Sequence, residues 1–241
     1  MKRARTMIGL AVIASALLVL VAPVSAHEFT ASAFNKTFPL KTKGIGTGTQ
    51  MFKLGKVEFE CGIAKASGVV SESPTPVLKV SVKYTECESH TKFYGQTSFP
   101  KIHFRNRVEY MYHQNGFAEI GAGGEIGSPS IGSSPIEIVI AQTGGCKLLW
   151  PAQTVPFKAE IKPNEEYSAV LFSNNEIAAE NLKKFPTGFQ QKLVVTNELK
   201  NMAYEIEPVG LCEGWEKTEG KIGLDAGALE LETIGGDLGF V

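Results

Sequence analysis

Three groups of side chains in this sequence have the types and spacings to do chemistry. The first is His27. Lys2, Arg3 and Arg5, the apolar run from Ile8 to Val21, Pro23 and the small-x-small triplet Val24-Ser25-Ala26 together read as a secretory signal peptide. Cleavage after Ala26 would make His27 the first mature residue. Its α-amino nitrogen and imidazole would then chelate a metal as a pair, and His90, His103 or His113 would complete a three-nitrogen copper site. Equally, Ala26–His27 is simply a suitable bond for a peptidase. The second group is Lys101, His103, Arg105 and Arg107, the outward face of a strand expected from Lys101 to His113, with Glu109 beyond. Such a stripe could grip an anionic polymer, a cell-wall polysaccharide or an acidic lipid head group. It also suits an ordinary solvated face whose charges discourage edge pairing. The third group is Trp150 and Trp215, close behind Cys146 and Cys212. Exposed, they would stack on sugar rings; buried, they would pack against a disulfide.

Catalytic motifs are missing. The chain has no G-x-S-x-G elbow and no H-E-x-x-H helix signature. Gly121, Gly123, Gly124 and Gly127 fit neither phosphate-loop pattern. The acid pairs Glu165-Glu166 and Asp225 with Glu230 take no glycosidase role, because separation in space decides that chemistry. Taking Lys2, Arg3 and Arg5 from 24 basic residues leaves 21 against 25 acids, a formal charge of −4. A nucleic-acid partner wants the opposite sign. No second apolar run follows the leader, so no transmembrane segment is expected in the mature chain.

The elements that would position these groups are strands. Val57, Phe59, Cys61 and Ile63 alternate with polar residues, as do Leu78, Val80, Val82 and Tyr84. Ile102, Phe104, Val108, Tyr110 and Tyr112 continue the pattern, and the polar slot at Asn106 predicts a bulge. Ile136, Ile138 and Ile140, then Val155, Phe157, Ala159 and Ile161, then Met202, Tyr204 and Ile206 repeat it. Period-two alternation is the mark of strands with one face on a core. Asn115-Gly116 between two such runs is a hairpin signal. Gly44, Gly46 and Gly48 read as a flexible lead-in or a thin strand under close backbone approach. Only Asn175 to Phe185 reads as helix, ended by Pro186. The expectation is an all-β, mainly antiparallel β-sandwich with at most one short helix. It would form a single domain over residues 27–241, or two halves divided near the Gly-, Ser- and Pro-rich stretch 121–135.

Cys61, Cys87, Cys146 and Cys212 all lie beyond the leader, and an even count outside the cytosol predicts two disulfides. No C-x-x-C spacing suggests zinc. Three pairings are open. Cys61–Cys87 with Cys146–Cys212 is preferred because each bond then staples one half of the chain. Loops of that size contribute roughly 3–4 kcal/mol by restricting the unfolded state.

Two resemblances follow from these residues. A mature His27 on a secreted, disulfide-bonded β-sandwich resembles lytic polysaccharide monooxygenases, which implies copper and a polysaccharide substrate. The match covers that one residue and the general architecture. The segments Gly55-Lys56-Val57-Glu58-Phe59-Glu60-Cys61 and Val80-Ser81-Val82-Lys83-Tyr84-Thr85-Glu86-Cys87 are similar to a loose group of uncharacterised secreted β-rich bacterial proteins. That likeness implies export and fold, and no functional residue carries over. The sequence therefore predicts a secreted, non-catalytic binding or structural protein of the extracellular space or cell envelope, with an extracellular polysaccharide or cell-wall component as partner. The alternative is a copper-dependent polysaccharide monooxygenase built on His27.

Overall fold

The computed structural model describes residues 28–33, 37–91, 99–114, 116–123, 132–141, 146–156, 158–163, 167–173, 192–207, 218–234 and 236–240. The leader with His27, the expected helix from Asn175 to Phe185, Cys212 and Trp215 lie outside them. The described chain is all strand and turn. In order the strands are β1 (Phe29–Ala33), β2 (Leu40–Leu54), β3 (Val57–Val70), β4 (Val77–Ser89), β5 (Lys101–Phe104), β6 (Val108–His113), β7 (Phe117–Ala122) and β8 (Ile136–Ala141). They continue with β9 (Cys146–Trp150), β10 (Gln153–Pro156), β11 (Lys158–Pro163), β12 (Tyr167–Ser173), β13 (Lys192–Glu207), β14 (Thr218–Thr233) and β15 (Gly236–Phe240). Among the described residues no helix is long and apolar enough to cross a membrane.

The alternating runs become the buried faces. Val57, Phe59, Cys61, Leu78, Val80, Val82, Ile136, Ile138, Ile140, Met202, Tyr204 and Ile206 all point into the core. Gly116, with φ of 92°, closes the hairpin in which His113 opposes Phe117. The run from Lys101 to His113 divides where Asn106 predicts a bulge: β5 stops at Phe104 and β6 starts at Val108. The glycine-rich stretch belongs to β2. A side chain at Gly44 would lie 2.5 Å from the Glu230 carbonyl oxygen, and one at Gly46 would lie 2.9 Å from Ala64 Cβ. The thin strand is what lets β14 and β3 close on it from either side.

Among the described residues fifteen strands form one continuous sheet. The sequence predicts two packed sheets; the ladders instead close on themselves. Antiparallel pairing runs β14–β2–β3–β4–β5–β8–β9–β13, and β13 pairs back onto β14. That circuit of eight strands is a closed collar, a size whose interior side chains just fill. Phe52 sits at its centre, stacked on Phe59 at 5.1 Å between ring centroids and edge-on to Tyr84, Phe104 and Trp150. Cys61 opposes Cys87 in the β3–β4 ladder, and the two form a buried disulfide. Cys146 is disulfide-bonded as well; its expected partner Cys212 lies outside the described residues.

β2, β3, β4, β13 and β14 run on beyond the collar, each through an irregularity. β3 buries odd positions to Cys61 and even ones from Ala64, and β4 makes the matching change around Glu86, whose φ is 56°. β13 changes phase at Asn201, with φ of 60°, and the β2–β14 ladder slips between Ala226 and Ala228. Past these kinks β4 pairs with β6, then β7 and β10, while β13 pairs in parallel with β12 and through it with β11. Among the described residues no ladder joins β10 to β13. The Gln153 side chain stands in for one: its Nε2 donates to the Ala203 carbonyl at 3.1 Å, and its Oε1 accepts from the Ala203 amide at 2.7 Å. Elsewhere β1 pairs with β15, Phe29 opposite Phe240.

The outer wall is charged. Lys53 pairs with Glu58, His90 with Glu60, and Lys147 with both Glu137 and Glu207. A membrane-spanning barrel has the opposite arrangement, an apolar band outside.

Candidate functional site

The predicted cationic stripe is only partly assembled. Lys101 and His103 are exposed on β5 and Arg105 is exposed in the bend after it. Arg107 turns away: its Nε donates to Ser81 Oγ at 2.9 Å, and its Nη2 to Ser67 Oγ at 2.8 Å and to the Ser81 carbonyl at 3.0 Å. The guanidinium thus ties β3 to β4. Glu109, expected on the same outward face, has no solvent exposure and meets Lys79 at 2.9 Å. Trp150 is fully buried against Phe52, so it packs the core and offers no face to a sugar. His90 faces Glu60, His113 faces Glu119 and His103 is exposed; among the described residues no three His, Cys, Asp or Glu side chains converge to hold a metal. The copper reading turns on His27, outside those residues.

A groove that the sequence reading missed lies on the outer face of the upper half. The β3–β4 turn, with Ser71, Glu72, Thr75 and Pro76, overhangs the outward side chains of β3, β4, β6 and β7. It encloses about 430 Å³, within the range of small-ligand sites. Each strand contributes by alternation: Ser67 and Val69 from β3, Val77, Lys79 and Ser81 from β4, Glu109, Met111 and His113 from β6, and Glu119 from β7. His113 Nε2 donates to Glu119 Oε1 at 2.9 Å, and the imidazole stacks on Phe117 with centroids 4.0 Å apart. Hydrogen-bonding groups and apolar floor residues alternate along it.

Behind this face, where the long strands kink, lies a buried polar belt. Asp225 is 1 % exposed and accepts from the Asn197 side-chain amide at 3.4 Å and from the Tyr110 hydroxyl. Tyr84 and Tyr110 hydroxyls are 2.9 Å apart, and Tyr112 donates to Asn197 Oδ1 at 2.8 Å. Burial pushes the Asp225 carboxyl up to about 7, against the hydrogen bonds from Tyr110 and Asn197 that pull it down. Burial, then the Asp225 charge, pushes the phenols of Tyr84, Tyr110 and Tyr112 well above their ordinary value. Gln50 continues the belt, donating to the Ala228 carbonyl at 3.0 Å. A signal for Asp225 was present: counting back by twos from Leu231 and Leu229 reaches it on the inward face. Glu230, its partner in the sequence pairing, points outward to Lys192. The two carboxylates do not share a site.

Neither a protein-family model, nor a curated protein, nor a solved structure shows similarity to this chain. The geometry alone therefore carries the functional reading.

Proposed function

We propose that this chain is an exported, non-catalytic β-protein of the extracellular space or cell envelope, with a binding or structural role. Its partner is an extracellular polysaccharide or another cell-wall component. The Cys61–Cys87 disulfide carries the reading. Both sulfurs are buried, and such bonds persist where the compartment is oxidising. Cys146 with Cys212 is the second staple. Supporting it, the outer wall carries ion pairs suited to water, and the interior around Phe52 is filled with side chains.

The test is the fate of the full chain in its producing cell. Thiol titration and mass spectrometry on protein from the medium or envelope fraction should find no free thiol and an N-terminus at His27. Four reduced cysteines, or a chain retained in the cytosol with its leader attached, would refute the reading.

A further inference from the structure

We infer that the groove beneath the β3–β4 turn is a binding site for a short, uncharged carbohydrate. This rests on the proposal that the chain meets glycans outside the cell, and it names the place and the chemistry. The enclosed volume of about 430 Å³ suits one or two sugar rings. Most of the charges within it are used up against one another, while Glu72 on the overhanging turn is exposed and outside these pairs. Lys79 is bound to Glu109 and His113 to Glu119, and the nearby Arg107 is spent on Ser67 and Ser81. An ionic ligand would have to compete with these partners. A polyol would not, because each hydroxyl both donates and accepts and can join the existing pairs without displacing them.

Rigidity favours the same class. Lys79 is 13 % exposed and is held by Glu109, which is itself shut off from solvent, so the direction in which the ammonium faces the groove is set before any ligand arrives. Hydrogen bonds to charged groups are also about twice as strong as neutral ones. Between the polar pairs, Val69, Val77 and Met111 give an apolar floor for the C–H face of a ring. The His113 imidazole, backed by Phe117, is the planar wall.

The experiment uses the oxidised mature chain, with cellobiose, maltose and chitobiose as probes in titration calorimetry. Glucuronate and glucosamine serve as charged controls. At least one neutral disaccharide should bind, with both controls at least tenfold weaker. Val69→Trp, which fills the floor, and the paired change Lys79→Met with Glu109→Met should each weaken that binding tenfold or more. Circular dichroism and thermal melting establish that each variant is folded. A folded, exported, fully oxidised protein that binds none of the three overturns this inference and leaves the reading of export intact. Equal or tighter binding of a charged control overturns the ligand class. Binding unchanged in both folded variants overturns the location.

Discussion

The collar and the upper half are built from the same five long strands, yet they are closed by different means. In the collar every neighbour is joined by backbone ladders and the interior is a cluster of rings around Phe52. At the kinks, among the described residues, β10 is tied to β13 by the Gln153 carboxamide, and the interior above holds a carboxyl, two carboxamides and three phenols. An apolar, ladder-closed ring derives its stability from area removed from water. A polar interior depends on every hydrogen bond being made, and it loses heavily when one is not. The collar is thus the anchor. The upper half can carry a groove because its outer face is not needed to hold the ring shut.

That contrast can be broken most sharply at Phe52. Replacement by Ala should cost about 3–5 kcal/mol, as large aromatic deletions in packed cores do, with loss measured by denaturant unfolding. A loss under about 1 kcal/mol would mean that the collar is not the anchor. Acidity probes the other half on a comparable scale. Asp225 has a folded value raised from 3.8 to about 7, so the native state holds its proton over a range where the unfolded chain has released it. Its contribution is full below pH 4 and is lost as pH rises through 7, by about 4 kcal/mol in total. Asp225→Asn should remove this fall, and a wild-type stability that rises over the same window would contradict the assignment. Reducing Cys61–Cys87, which spans 26 positions, should cost roughly 3–4 kcal/mol, read as a lower melting temperature of the collar. Gln153→Ala should have the smallest effect, about 1–3 kcal/mol, by unmaking both bonds to Ala203. Hydrogen exchange should then quicken at the Ala203 amide and leave the Phe52 region slow; uniform quickening would show that the two halves open together.

Much of the fold could be read from period two. β4, β6, β8 and the end of β13 bury the residues their alternation marks, because one face of each meets a core, whereas β3 does so to Cys61 and then changes phase, leaving Ile63 off the buried face. What alternation does not encode is closure. A sandwich and a closed ring ask the same of each strand, and the difference lies in one pairing, β13 with β14, between segments that read very differently. β2 and β14 were the hard strands. Their glycines remove the hydrophobic signal at the places where neighbours approach most closely, such as Gly44 against Glu230. The groove escaped notice for a related reason. Lys79, Glu109 and His113 look like solvated face residues in the sequence, and only the overhanging turn makes an enclosure of them. The cationic stripe is assembled only in part because the bend after Phe104 redirects Arg107 toward two serine hydroxyls.

The pairing of β1 with β15 has a consequence for how this chain could be re-engineered. Phe29 faces Phe240 in one antiparallel ladder, so the first and last described strands lie side by side. A brief linker joining those two strands, with new ends cut at the tight connection near Gly116, should give a permuted polypeptide with the same neighbours throughout. Such a rewired gene would fold to the same shape while starting from a different point in the chain.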